Sequence, residues 1–340
     1  MSLRGLLPIL TRRPELVRLR ERLVRPLAAE GDASPLSFAI NGVADAAKPY
    51  LVAALAASAG RPVLFVTATE ERARLMTRTM ATLLGDRPDT ETAQALLFPD
   101  RDAMPLERLL SSADTIRERM TALLALMQMR TRRAALPEGE DGNLPTLVIS
   151  TAIRALTQPI IPPEEFARAT TALQENSEIN LAEFLGHLSA LGYENVAEVE
   201  EPGQVSHRGG IIDIFPPTRP RPVRVELFGD AIESMRTFDP ETQRSLNPVA
   251  LLLIPPAHEA LPSRGPEADA QIHQITTGAL HPDAAERWAR DRESLRQRAS
   301  FDDIALYLPY LHRTASVLDF LPSDALIILD GPDQIGRAHV

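Results

Sequence analysis

The chain contains no cysteine, a single lysine and few aromatic residues. Without cysteine there can be no disulfide and no thiolate metal site, a usage compatible with a reducing cytoplasm. Of 36 lysines and arginines only Lys48 is a lysine, a bias that together with abundant alanine reflects genome composition. No stretch reaches eighteen apolar residues, so no membrane-spanning helix is expected. The amino-terminal "GLLPIL" is short and lacks a small-residue cleavage site, so it is not read as a signal peptide, and the expected location is cytoplasmic. The seven histidines show no H-x-x-x-H spacing, so no metal is expected. A G-x-S-x-G nucleophile turn is also missing. Positive charge is short as well. At a net −10, the long-range field opposes capture of a phosphate backbone and favours partners with basic or mixed surfaces.

What is present is an ordinary globular composition, 44% hydrophobic and 24% charged, in 340 residues, enough for two domains. Residues 1–33 read as a helical lead, with Leu16, Leu19 and Leu23 at helical spacing before the breaker "GDASP". From 34 to 164 apolar strands alternate with helices, and this order predicts an α/β domain with a parallel sheet. The expected strands are "LSFAI" (36–40), "PVLFVT" (62–67) and "TLVIS" (146–150). The helix in "SSADTIRERMTALLALMQM" is expected to bury Ile116, Met120, Leu123, Leu124 and Met127. Residues 165–255 read as a smaller α+β domain. Asn180 and Glu183 form a capping box ahead of a helix that stops at Gly192. Strands follow at 209–215, 223–228 and 231–238, the last two joined by a Gly229-Asp230 turn. Residues 256–340 are assigned to the remainder of the α/β domain, with an exposed polar helix over 283–298 and a strand in "DALIILD" (324–330). The organisation expected is a split α/β domain with the α+β domain inserted.

The stretch "NGVADAAKPY" (41–50) lies just ahead of a helix and keeps part of the phosphate-loop pattern G-x-x-x-x-G-K-[ST]. Gly42 and Lys48 fall in register, but the second glycine is Ala47 and the magnesium-binding hydroxyl is replaced by Pro49. A methyl group stands where backbone must approach phosphate, and proline removes both a hydroxyl and an N–H. The loop reads as a vestigial nucleotide site with Lys48 as a solvated helix-start residue.

The block "HRGGIIDIFPPTRPRPVRVELFGDAIESMRTFDPETQRS" (207–245) resembles one shared by the excision-repair helicase UvrB and the UvrB-like amino-terminal module of the transcription-repair coupling factor family. The resemblance extends more weakly over about 36 to 335. It implies a degenerate P-loop domain of RecA/helicase type as the split α/β domain. Where UvrB carries an Asp-Glu pair at the end of its second nucleotide motif, this chain has Asp330 and Gly331. UvrB's long tyrosine-rich hairpin corresponds here to a short stretch, 96–114, without tyrosine. These departures resemble the coupling-factor module, which keeps the fold and drops the chemistry.

The resemblance implies that the inserted domain docks UvrA, the damage-sensing ATPase, through positions matched here by Arg208, Arg224 and Phe228. Strand alternation in "VRVELF" independently turns Arg224, Glu226 and Phe228 outward together, while Val223, Val225 and Leu227 face inward. It further implies no catalysis and no cofactor in this chain, ATP and magnesium serving motor domains elsewhere in a longer protein. RNA polymerase and DNA would be met through those other domains, and a carboxy-terminal domain would mask the docking surface. The alternatives are a UvrB-type ATP-dependent DNA-loading enzyme and a regulatory paralogue without a motor.

Overall fold

A computed structural model describes residues 3–24, 37–85, 93–101, 112–136, 144–274, 281–301 and 304–337. The chain divides into two compact units, each assembled from separated stretches of sequence.

The first unit collects Met1–Asp100, Gln128–Leu156 and Leu321–Val340. Its centre is a parallel four-stranded sheet in the order Leu326–Leu329, Val63–Thr67, Thr146–Ala152, Ala93–Phe98. The strand Val63–Thr67 is buried along its whole length, as a central parallel strand covered on both faces must be. One face of this sheet packs Val63, Phe65 and Val148 against Val52, Ala53 and Ala56 of helix Lys48–Ala59 and Met76, Met80 and Leu83 of helix Glu70–Leu84. Thr69 caps the second helix by accepting from the Arg72 N–H, and Gly85 ends it. The edge strand Leu326–Leu329 turns Leu326 and Ile328 to this core and leaves Ile327 and Leu329 exposed on its other side. The expected strand at 36–40 does not form over its described residues. Residues 37–40 are irregular, and Phe38 and Ile40 stay exposed.

The second unit comprises Arg101–Met127 and Thr157–Phe320. Residues 256–320, assigned from sequence to the α/β domain, therefore lie here, and only the last segment returns to the parallel sheet. The unit is built on a six-stranded sheet in the order Ser245–Pro248, Ala231–Phe238, Val223–Phe228, Ile211–Ile214, Gln204–Arg208, Glu194–Asn195, antiparallel except for the last pair. Its inner face buries Val205, Ile212, Ile214, Val223, Val225, Ile232 and Met235. Ahead of it, Asn180 caps helix Leu181–Ala190 by accepting from the Glu183 N–H.

Two elements near this sheet are not visible in the sequence pattern. Helix Pro163–Ala169 leads into strand Thr171–Gln174, which pairs with Leu251–Ile254 some eighty residues later. A helical subcore follows. Ile272, Leu295, Tyr307 and Leu311 pack together, and the helix Pro282–Arg296, expected to be exposed, turns Asp291 and Leu295 inward, with the Tyr307 hydroxyl donating to Asp291.

Helix Ala113–Ala134 differs from expectation by a rotation. The buried side chains are Thr115, Arg119, Met120, Ala122, Leu123, Leu126 and Met129, while Ile116, Leu124 and Met127 are only half-buried. The reason is Arg119. Its guanidinium pairs with the buried Glu259, which Arg101 also contacts, so the inward stripe runs through a charged residue that a hydrophobic count treats as solvent-facing.

Candidate functional site

Two constellations contain the residues singled out from sequence. The first lies at the carboxyl end of the parallel sheet. Residues 41–44 lead into a single 3-10 turn, Asp45–Ala47, and then directly into helix Lys48–Ala59 with Pro49 in its first turn. Pro49 is buried and costs the helix nothing at that position, since first-turn N–H groups have no intrahelical acceptor. The Ala47 N–H donates to the Ala44 carbonyl and the Lys48 N–H to that of Asp45. These two donors are therefore turned into the local turn and away from any external anion.

Lys48 is not a solvated helix-start residue. Its ammonium donates to Asp330 Oδ1 at 2.6 Å and lies 3.1 Å from Asp45 Oδ1. Arg72 completes the group, its Nε donating to Asp330 Oδ2 at 2.9 Å and its terminal nitrogens to both oxygens of Asp45. Two cations and two carboxylates thus alternate in a closed ring. Asp330 is 7% exposed and accepts from a different cation on each oxygen. The hydrogen bond to Asp330 raises the Lys48 ammonium above its ordinary range, against the opposing effect of burial. Gly331 follows with φ +70, a left-handed conformation that L side chains rarely adopt, so a glutamate there would strain the turn. The phosphate-loop pattern located Gly42, Ala47, Lys48 and Pro49, and the resemblance to UvrB pointed to Asp330 and Gly331. Neither pointed to Asp45 and Arg72, which carry no motif and are joined to the others only by the fold.

The second constellation is the outer face of the six-stranded sheet. Strand pairing sets Arg208 opposite Ile211, Ile211 opposite Glu226, and Glu226 opposite Ser234. A parallel row runs Ser206, Asp213, Arg224, Arg236. Phe228 is two residues beyond Glu226 on the same face and is 81% exposed, the most exposed large hydrophobic side chain among those described. Ile211, diagonal to it, is 37% exposed. Gly210 fits closely beneath this corner: a Cβ there would meet the Leu227 carbonyl oxygen at 2.8 Å. The Leu227 N–H donates to the Gly210 carbonyl, so the pairing holds up to the turn.

Arg208 is exposed, but Arg224 is not free in the way strand alternation suggests. Its side chain is 19% exposed. The Nε and one Nη donate to the two oxygens of Asp213, both at 2.8 Å, a two-pronged pair. Two further donors reach the Gln243 carbonyl and side-chain oxygen, and the guanidinium lies 4.7 Å above the Phe238 ring. The Asp213 carboxylate accordingly raises Arg224 above its already high ordinary value. Phe238 belongs to a small buried cluster with Val199 and Phe215. The outer face is therefore covered at one end and open at the other, with Arg224 at the border.

The short stretch corresponding to the UvrB hairpin lies largely outside the described residues. Among the described residues no group of three or more metal-binding side chains converges, and no helix is long and apolar enough to cross a membrane.

Residues 171–259, which include the whole of this sheet, match the family model of the UvrB interaction domain, and the chain carries that domain. Across most of its length it is related to the transcription-repair-coupling factors of DNA repair. It is 27% identical over 311 residues to the Bacillus subtilis protein of that name, covering 88% of this chain and 24% of that one. It is 32% identical over 302 residues to the Mycobacterium bovis protein, covering 86% and 23%. The Myxococcus xanthus protein is 27% identical over 306 residues. The chain thus spans about a quarter of the length of these relatives.

Proposed function

We propose that the chain is the UvrB-like interaction module of a bacterial transcription-repair coupling factor, and that it recruits UvrA to lesions where RNA polymerase has stalled. The observation that carries this reading is the coincidence of the UvrB interaction domain with an outer sheet face that exposes Phe228 beside Ile211 and Arg208. An exposed aromatic beside an arginine on a rigid strand has the composition of binding hot spots. The polymerase and DNA would be engaged by parts of the longer protein outside this chain.

We also propose that the chain is not itself a nucleotide hydrolase and that its parallel-sheet unit is a degenerate P-loop domain. The residues present fit a magnesium nucleotide poorly. Ala47 crowds the phosphate approach, Pro49 offers neither hydroxyl nor N–H, and Lys48 and Asp330 neutralise each other where one would hold phosphate and the other magnesium. This geometry also weighs against the UvrB-type enzyme as an alternative.

Calorimetry with cognate UvrA tests the first proposal, saturable one-to-one binding being expected. Purified UvrA that fails to bind the folded chain at concentrations of tens of micromolar would remove it.

A further inference from the structure

We propose that the parallel sheet of the first unit holds a place for one more strand, between residues 37–40 and the edge strand Leu326–Leu329. A segment of the same polypeptide lying outside this chain fills it, and the charged ring of Asp45, Lys48, Arg72 and Asp330 clamps the two sides of the place. This inference rests on the reading of the chain as part of a longer protein and concerns the first unit alone.

The handedness of the fold places residues 37–40. Helices Lys48–Ala59 and Glu70–Leu84 cover the same face of the sheet. From Val63–Thr67 the chain crosses that face through Glu70–Leu84 and re-enters the sheet at Ala93–Phe98, on the side of Thr146–Ala152. Crossovers between parallel strands are right-handed almost without exception, so a second connection over the same face advances in the same direction. The connection from 37–40 through Lys48–Ala59 into Val63–Thr67 therefore starts on the opposite side, that of Leu326–Leu329. The position next to Val63–Thr67 is already taken by Leu326–Leu329, so 37–40 belongs beyond it.

The two segments do not pair. Among the described residues, no backbone hydrogen bond joins 37–40 to a strand. The Leu326 N–H donates to the Pro62 carbonyl and the Asp330 N–H to that of Val66, so alternation turns the Ile327 and Leu329 N–H groups to the outer edge. The side chains of Ile327 and Leu329 are exposed, as are those of Phe38 and Ile40. An apolar strand edge left open in this way is a template for a further strand. Asp45 and Lys48 follow 37–40 in the chain, and Asp330 follows Leu326–Leu329. The Lys48–Asp330 contact and the bonds from Arg72 to both aspartates therefore tie the carboxyl ends of two segments that no ladder joins. A strand inserted between them would lie about 4.8 Å from each. It must be apolar and parallel, since every pair in this sheet is parallel and both neighbours expose apolar side chains. The same polypeptide is its source, because this chain covers only 24% of the Bacillus subtilis relative and a tethered strand reaches the place at high effective concentration.

The test is hydrogen exchange resolved to single amides by fragmentation mass spectrometry, on this chain and on the full-length polypeptide that contains it. In the chain alone the Ile327 and Leu329 amides should exchange fast, while those of Leu326 and Asp330 are protected. In the full-length protein exchange at Ile327 and Leu329 should slow by on the order of a hundredfold or more. Ile327→Lys should leave the melting temperature of the chain alone unchanged and lower that of the full-length protein. Fast exchange of both amides in the full-length protein would overturn the inference, as would an Ile327→Lys variant that melts like wild type in both. Protection that appears in the chain alone and grows with its concentration would overturn it too, since a second copy would then be the occupant. Calorimetry of the chain with UvrA separates this result from the docking reading. Binding of UvrA with both amides still fast in the full-length protein would refute the inserted strand alone, whereas protected amides with no UvrA binding would refute the docking alone.

Discussion

The Lys48 ammonium lies 2.6 Å from Asp330, a residue 282 positions away in the chain, and each is also tied to Asp45 or Arg72. The last segment of the chain enters the parallel sheet as the edge strand Leu326–Leu329 and is fastened at its carboxyl end by this charged ring. An edge strand with one exposed apolar side has little burial to hold it, so the ring is expected to carry part of its stability.

Asp330→Asn should therefore destabilise the first unit by about 1.5–3 kcal/mol, the range for hydrogen bonds to charged groups. Urea denaturation would show the lowered midpoint. Lys48→Met together with Asp330→Leu should cost less than the sum of the single changes, because each single change leaves the ring one charge out of balance and the double change restores the balance. Additive losses would mean that the two residues do not act as a pair.

The same ring has a pH signature. Lys48 titrates in the folded chain above its ordinary value, so its contribution is fully present below the unfolded value of 10.5 and is lost as pH rises through the folded one. Wild type should lose stability relative to Lys48→Met only above about pH 10, and an advantage unchanged across that range would contradict the assignment.

A nucleotide should find no purchase there. Titration of a fluorescent ATP analogue with magnesium is expected to give no saturable binding below millimolar concentration. A low-micromolar dissociation constant abolished by Lys48→Ala would mean that the ring opens for phosphate.

The buried Glu259 provides an acid-side prediction in the second unit. Burial alone would raise its carboxyl, but Arg101 and Arg119 outweigh that effect and bring it down to about 2 from 4.5. Its stabilising contribution is present above the unfolded value of 4.5 and is lost as pH falls toward the folded one. Glu259→Gln should cost about 3–5 kcal/mol at neutral pH, with the difference from wild type shrinking on acidification. A difference that stayed constant down to pH 3 would show that the carboxylate is not the stabilising species.

How far the sequence could be read depended on whether the signal was local. The strands Val223–Phe228 and Ala231–Phe238 and the turn between them occupy the residues expected, because alternation and a Gly-Asp turn are written within sixteen consecutive positions. Helix Lys48–Ala59 likewise begins where a helix was expected, directly after the 41–47 loop. Pairing between distant segments was not. Thr171–Gln174 becomes a strand only because Leu251–Ile254 lies beside it, and "LSFAI" has strand composition but does not form one over 37–40. Charge was the other blind spot. Arg119 reads as a surface residue until Glu259 is beside it, Lys48 until Asp330 is, and Arg224 as a free hot spot until Asp213 and Gln243 take its donors. Alternation gave the direction in which Arg224 leaves the strand, but not what it meets there.

The central claim is that this chain docks UvrA through the open corner of the six-stranded sheet, and Phe228→Ala tests it most directly. The side chain is 81% exposed, so its removal leaves the inner face intact and the melting temperature should not change. If Phe228 anchors the partner, the dissociation constant for UvrA measured by calorimetry should rise about thirtyfold, corresponding to a loss of about 2 kcal/mol. A folded Phe228→Ala variant that binds UvrA with wild-type affinity would contradict the account.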